Sequence, residues 1–99
     1  MEFDHIALNV KNIYTAVRWY VENTKASVEY EDDTWAMLRI GDTKIALTLK
    51  DQHPPHVAFK VDSIADFPDG SEVKQHRDGS WYYYGFDDSG NVIEWIKYD

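Results

Sequence analysis

The sequence predicts an α+β fold made of two tandem βαβββ-type modules, the second with its helix truncated. The first observation is a repeat: residues 4–13 recur as residues 55–64, with His, Ala, Val and Ile in matching places. The second is a repeat of the last strand of each half, since residues 44–47 align with residues 92–95. The third is that a clear amphipathic helix follows only the first copy.

The first module begins with a strand over residues 5–10, in which apolar and other side chains alternate. Asn12 is suited to cap a helix over 13–23. Three strands are predicted after the helix, over 27–31, 34–40 and 43–50, the last two joined by a Gly41-Asp42 turn. The helix should present an apolar stripe to one face of the first strand. The stripe is Ile13, Ala16, Val17, Tyr20 and Val21, and it should cover Ile6, Leu8 and Val10.

The second module repeats the strands but not the helix. Residues 63–67 allow at most one helical turn, because Pro68 and Gly70 follow. Strands are predicted over 56–61 and near 72–76, 80–86 and 91–97. The modules span about 1–51 and 55–99 of one domain, with the stiff segment His53-Pro54-Pro55 between them.

The truncated helix should leave apolar sheet surface uncovered in the second module. The residues concerned are Val57, Phe59, Val61, Ile93 and Trp95. Since exposed apolar surface of this kind favours association, we predict a homodimer or an equivalent covering contact.

The charge balance excludes several classes of partner. The chain has 99 residues, with 10 basic and 18 acidic side chains and a net charge of −8. This charge repels phosphate backbones and anionic lipids, so we expect neither nucleic-acid binding nor membrane binding. Glu2 and Asp4 stand where a signal peptide would carry positive charge, and we expect a cytoplasmic protein. There is no cysteine, so any metal would be held by imidazole and carboxylate.

Three side chains form a candidate metal-binding set. His5, His56 and Glu94 each lie on a predicted strand, at positions that point away from the apolar layer. Two imidazoles and one carboxylate leave coordination positions open, which suits a catalytic Mn, Fe(II), Ni or Zn ion. The alternative is that both histidines are buried polar residues with hydrogen-bonding partners and that Glu94 is solvated.

The chain resembles the vicinal oxygen chelate superfamily, which includes glyoxalase I, fosfomycin-resistance thiol transferases, extradiol dioxygenases and bleomycin-resistance proteins. The resemblance lies in the paired histidine strands, in Ala-Val-Arg-Trp-Tyr at 16–20, and in residues 87–95. The last segment is similar to the family ending Asp-Pro-Asp-Gly-Asn-x-Ile-Glu-Leu, whose Glu is the usual final metal ligand. The resemblance implies that the modules form a cupped mixed sheet around a divalent ion held by His5, His56 and Glu94.

The chain departs from glyoxalase I at one important position. Ala46 stands where glyoxalase I has a fourth ligand that also serves as catalytic base, so glyoxalase I activity is not expected. A set of three ligands resembles instead that of the fosfomycin-resistance enzymes, and this resemblance implies a metal that acts as a Lewis acid. The sequence identifies no catalytic base.

Other residues are expected to line a substrate pocket. Asn9 and Lys60 share the faces of the two histidines, and Thr48 lies two residues beyond Ala46. Residues 81–84 alternate across a strand, which puts Tyr82 and Tyr84 on one face and Trp81 and Tyr83 on the other. Alternation does not say which pair faces inward, and Tyr82 and Tyr84 are taken as the pocket pair. His53 and His76 are expected to be exposed to solvent.

The sequence is compatible with two main functions and with a third alternative. The first is a small divalent-metal-dependent enzyme, of lyase, isomerase, transferase or dioxygenase class, whose substrate chelates the ion through oxygens. The second is a metal-free protein of the bleomycin-resistance type that sequesters a cationic aromatic molecule. The third is an interaction domain that has kept the ligands without using them.

Overall fold

A computed structural model describes residues 1–98, and its elements follow the predicted order. The strands are β1 (Glu2–Val10), β2 (Ser27–Glu31), β3 (Trp35–Ile40), β4 (Thr43–Leu49), β5 (His56–Lys60), β6 (Lys74–Gln75), β7 (Trp81–Phe86) and β8 (Val92–Lys97), with helix α1 (Ile13–Thr24) and a 3-10 turn (Ile64–Asp66). The first unit comprises His5–Pro55, and the second unit comprises Met1–Asp4 together with residues 56–98. That both belong to one domain stays a prediction. Within residues 1–98, no helix is long and apolar enough to cross a membrane.

The first unit is a mixed sheet with α1 on one face. Its strands lie in the order β2-β3-β4-β1. Strand β1 runs parallel to β4, and β3 runs antiparallel to both of its neighbours. The core between sheet and helix contains Ile13, Val17, Ala26, Ala36, Leu38 and Leu47, with Leu8 and Val10 packed against it. The predicted cover of the first strand by the helix is therefore confirmed at Leu8 and Val10.

Helix α1 begins where the sequence predicted it. The Asn12 Oδ1 accepts a hydrogen bond from the Thr15 backbone N–H at 2.9 Å, which satisfies one of the exposed donors of the first turn. The apolar stripe is confirmed except for Val21, which is 36% exposed. Each four-residue step overshoots a full helical turn by about 40°. Val21 has therefore turned about 80° away from Ile13, to the edge of the packed face.

The second unit is also a mixed sheet, and its helix is reduced to the 3-10 turn. Strands β5, β8, β7 and β6 lie side by side in that order, with β5 and β8 parallel and the other pairs antiparallel. Ser63 caps the short turn, accepting a hydrogen bond at Oγ from the Ala65 N–H at 3.1 Å. The predicted α+β fold of two βαβββ-type modules, with the second helix truncated, is thus confirmed.

The predicted uncovered surface of the second unit is only partly correct. Val57, Phe59, Ile93 and Trp95 are half-buried, but Val61 is buried at 3% exposure. Val61 continues the hydrogen bonding between β5 and β8 by one residue, since its N–H donates to the Ile96 carbonyl at 2.9 Å. Phe67, which follows the 3-10 turn, is buried as well, so this end of the unit does have an apolar interior. The homodimer stays a prediction.

The turn before β3 is organised by Asp32. Its Oδ1 accepts hydrogen bonds from the backbone N–H groups of Thr34 at 2.8 Å and Trp35 at 2.9 Å, and its Oδ2 accepts one from the Tyr30 hydroxyl. The Tyr30 ring stacks on Trp35 with 4.6 Å between centroids. The hydrogen bond from Tyr30 and those from the backbone lower the pKa of Asp32.

Asp32→Asn should therefore lower the stability of the protein near pH 7, and the difference from wild type should begin to shrink as the pH falls below about 3.9. A carboxyl whose pKa is depressed by folding contributes stability above its unfolded value of about 3.9, and that contribution is lost as the pH falls through the folded pKa. Thermal unfolding of the wild type and Asp32→Asn at pH 7 and at pH 3 tests this. The neighbouring exposed Asp33, changed to Asn, is the control. A difference between wild type and Asp32→Asn that is as large at pH 3 as at pH 7 would refute the electrostatic account.

Candidate metal-binding site

Glu94 is the most deeply buried charged side chain among the described residues, at 2% exposure. It lies on β8, paired with Ala58 of β5 on one side and with Tyr84 of β7 on the other. Removing a carboxylate from water is costly unless positive charge or hydrogen-bond donors compensate it. The groups around Glu94 therefore define the candidate site of the second unit.

Two histidines approach the two oxygens of Glu94. The His56 Nε2 lies 3.3 Å from Oε1, and the His76 Nε2 lies 2.8 Å from Oε2. His56 is buried, as expected for a side chain on the face of the sheet that carries Glu94. His76 was predicted to be exposed, and this was wrong, because its side chain is only 22% exposed. The turn between β6 and β7 brings it over the sheet face that carries Glu94.

Two tyrosines of β7 lie on this face, and strand alternation puts Tyr83 on the other, as predicted. Tyr84 contacts the edge of the His56 ring at 5.0 Å between centroids, and Tyr82 stacks on His76 at 3.7 Å with an interplanar angle of 11°. Burial raises the pKa of Tyr84, and the Glu94 carboxylate raises it further. The phenol is therefore neutral near pH 7. Tyr83 points to the opposite face, where it packs on Trp95 at 5.7 Å.

A second buried carboxylate of this unit is Asp4, which was not among the predicted site residues. It is 8% exposed, and its Oδ2 accepts a hydrogen bond from the Tyr98 hydroxyl at 2.6 Å. Burial raises the pKa of Tyr98, and the bond to Asp4 raises it further. The pair fixes the beginning of β1 immediately before His5.

The first unit holds His5, Asn9 and Thr48 on the face of its sheet away from α1. His5 is buried at 7% exposure. The Asn9 Nδ2 donates hydrogen bonds to the Thr48 Oγ1 at 3.0 Å and to the His53 carbonyl at 2.9 Å. Through this second bond the linker lies against the end of the strand, and His53 is half-buried rather than exposed as predicted.

Lys60 does not have the surroundings of a general base. Its Nζ lies 3.3 Å from the carboxylate of Glu2, and its side chain is 41% exposed. Lys60 therefore lies in contact with solvent beside an acidic neighbour.

The donor atoms of the second unit fit a divalent ion. Imidazole nitrogen and carboxylate oxygen bind zinc at about 2.0–2.2 Å, which places neighbouring ligand atoms of one ion about 3 Å apart. The separation of 3.3 Å between His56 Nε2 and Glu94 Oε1 is close to this value. Their chemistry, one imidazole nitrogen and one carboxylate oxygen, suits Mn, Fe, Ni or Zn.

Comparison with known proteins gives matches among solved structures. No protein-family model matches the chain, and no curated protein gives a significant match. A hypothetical protein from Bacillus halodurans is 22% identical, with a TM-score of 0.78 over 99% of this chain and 94% of its own. Methylmalonyl-CoA epimerase from Streptomyces coelicolor, in complex with 2-nitronate-propionyl-CoA, is 19% identical, with a TM-score of 0.76 over 98% and 96%. A glyoxalase/bleomycin resistance protein/dioxygenase superfamily member from Vibrio splendidus is 15% identical, with a TM-score of 0.70 over 95% and 97%.

The fold is the vicinal oxygen chelate fold. The similarity that the sequence analysis drew from the histidine strands and the last strand is thereby confirmed at the level of the fold.

The two modules of this vicinal oxygen chelate fold have matching registers. In the first unit Ala7 of β1 pairs with Ala46 of β4, and in the second unit Ala58 of β5 pairs with Glu94 of β8. Ala46 therefore holds in its unit the position that Glu94 holds in the other. Because alanine has no donor atom, the first unit can offer His5 but no carboxylate from this position.

Proposed function

We propose that the protein is a divalent-metal-dependent enzyme of the vicinal oxygen chelate type, with His5, His56 and Glu94 as metal ligands. The observation that carries the proposal is the buried Glu94 carboxylate, 3.3 Å from the buried His56 Nε2. All three side chains are buried, and each offers a ligand atom. His5 enters the set as the counterpart of His56 in the repeat.

The composition of the ligand set favours a catalytic ion over a structural one. Structural zinc sites use four protein ligands, whereas catalytic sites keep a position for water or substrate. Ala46 at the position equivalent to Glu94 leaves the set at three. A bound ion would supply Lewis-acid chemistry, polarising an oxygen of the substrate. The expected substrate is therefore a small molecule with neighbouring oxygens that can chelate the ion.

The surrounding residues would bind and orient this substrate. The neutral phenol of Tyr84 and the ring of Tyr82 form an aromatic wall beside Glu94. Asn9 and Thr48, joined by a hydrogen bond, offer polar groups from the first unit. The similarity to methylmalonyl-CoA epimerase makes small acyl thioesters the first substrates to examine, and isomerisation the first reaction.

The metal content of purified protein tests the ligand set. Protein prepared without chelator and exposed in turn to Mn, Fe(II), Ni and Zn should retain about one ion per chain, and His56→Ala should retain none. His53→Ala is the matched control, because it removes another half-buried histidine and keeps the carbonyl to which Asn9 donates. Equal metal content in His56→Ala and His53→Ala would contradict the assignment.

An activity screen with the loaded protein then tests the enzyme. Methylmalonyl-CoA and other oxygen-chelating acyl compounds should be turned over by metal-loaded wild type, with the activity lost after chelation and recovered after reloading. Loss of an isotopic label from the α-carbon to solvent reports isomerisation whichever product forms. Turnover that is equal with and without metal would exclude the proposed role of the ion.

One observation favours a second candidate, a protein that sequesters a cationic aromatic ligand. The stacked Tyr30 and Trp35 rings are partly exposed and adjoin the Asp32 carboxylate, in a chain with a net charge of −8. Flat cations bind to such aromatic and acidic surroundings. Wild-type protein that retains no metal but quenches Trp fluorescence on addition of a cationic aromatic dye would favour this candidate.

A further inference from the structure

We propose that His76 is a positioning residue that orients the Glu94 carboxylate for metal binding. The His76 Nε2–H donates a hydrogen bond to one carboxylate oxygen, so that the other is held toward His56. The inference rests on the proposed function, since it concerns the same metal site. It adds a residue that belongs to neither the histidine repeat nor the last-strand motif.

The two oxygens of Glu94 have different surroundings. Oε2 lies 2.8 Å from the His76 Nε2, within the range of a charge-assisted hydrogen bond. Oε1 lies 3.3 Å from the His56 Nε2, a separation suited to two ligands of one ion. An ionised carboxylate only accepts hydrogen bonds, so His76 must present an N–H to Oε2. This bond restricts the rotation of the carboxylate and holds Oε1 toward His56.

A short hairpin turn holds the backbone of His76. The Gly79 N–H donates to the His76 carbonyl at 3.0 Å, and the His76 N–H donates to the Ser80 carbonyl at 2.8 Å. Asp78 closes the turn, accepting hydrogen bonds from the Ser80 N–H at 2.9 Å and the Ser80 hydroxyl at 2.6 Å. Gly79 has φ +94°, a conformation that glycine adopts without strain. The turn fixes the point from which the imidazole reaches Glu94.

Stacking on Tyr82 holds the His76 ring. The two rings are nearly parallel, with an interplanar angle of 11° and 3.7 Å between centroids. In the β6–β7 register Lys74 pairs with Tyr82, so His76, two residues after Lys74, falls on the same face of the sheet. The imidazole plane is thus set by its neighbour. Ligand-orienting hydrogen bonds of this kind change metal affinity by about 10–100-fold when they are removed.

Metal affinity tests the role of His76. In a competition titration with Zn²⁺, His76→Ala should bind about 10–100-fold more weakly than wild type while still binding one ion per chain. His76→Gln, which keeps an N–H donor, should recover most of the affinity. His53→Ala serves as the matched control and should bind as wild type does. Affinity of His76→Ala equal to that of His53→Ala would overturn the proposal. Complete loss of the ion in both His76 variants would also overturn it, because His76 would then be a ligand.

A second measurement on metal-free protein separates this inference from the proposed function. Long-range ¹H–¹⁵N correlation spectra of the histidine rings report which ring nitrogen carries the proton. His76 should be the Nε2–H tautomer in wild type, and the Nδ1–H tautomer would overturn the inference even if metal binds. If wild type binds no ion, the proposed function fails and the positioning role fails with it. An Nε2–H signal in that case would assign the bond to structure alone.

Discussion

Glu94→Gln is expected to retain the fold and to lower metal affinity by more than the roughly 100-fold that loss of an outer-shell partner can cost. The amide keeps the size of the side chain but removes the negative charge and one of the two oxygens. In the wild type those oxygens lie 3.3 Å from His56 Nε2 and 2.8 Å from His76 Nε2. Replacing a proposed anionic ligand by a weak neutral one should remove most of the affinity for a divalent ion.

Thermal unfolding with and without metal measures this effect. An ion present at 100 times its dissociation constant stabilises the folded state by about 2.7 kcal/mol. Wild type should show this stabilisation and Glu94→Gln should not. Exposed Glu72, changed to Gln, is the control. A metal-dependent stabilisation of Glu94→Gln as large as that of wild type would be incompatible with Glu94 as a ligand.

Leu38→Ala should destabilise the protein by about 2–5 kcal/mol, the usual cost of truncating a fully buried leucine. Leu38 lies on β3, has no exposed surface and belongs to the core between the first sheet and α1. The truncation removes favourable apolar burial and leaves a cavity that the sheet and helix cannot close completely.

Urea unfolding provides the comparison, with Val28→Ala as the matched control. Val28 pairs with Leu38 in the neighbouring strand but is 42% exposed. Its truncation should cost less than about 1 kcal/mol. Similar losses for Leu38→Ala and Val28→Ala would contradict the assignment of Leu38 to the core.

The repeat explains why so much of the fold was predictable. A histidine followed by alternating apolar residues marks a strand in both halves, and the parallel registers Ala7–Ala46 and Ala58–Glu94 bear out the alignment on which the prediction was based. Turn signals such as Gly41-Asp42 separated the strands, and Pro68 with Gly70 explained the missing helix. The sequence pattern alone could not predict that Val21 is exposed or that Val61 is buried. The burial of each depends on where the neighbouring elements end.

The candidate site was only partly predictable for a related reason. His56 and Glu94 share a face by strand alternation, and the structure brings their donor atoms together. His76 was missed because it lies outside both repeated motifs, next to a strand of two residues, Lys74–Gln75. The signal that could have found it is the Asp78-Gly79 turn pair between His76 and the strand that begins at Trp81. Folding the chain back at that turn puts His76 on the face of Tyr82.

X-ray absorption at the metal edge of zinc-loaded protein tests the central claim most directly. We predict a first coordination shell of two imidazole nitrogens, from His5 and His56, with oxygen from Glu94 and solvent at about 2.0–2.2 Å. Replacing His56 by alanine should remove the ion, and replacing His5 should remove one imidazole or the ion itself. A zinc ion without imidazole scattering, or a spectrum unchanged in His5→Ala and His56→Ala, would contradict the proposed metal site.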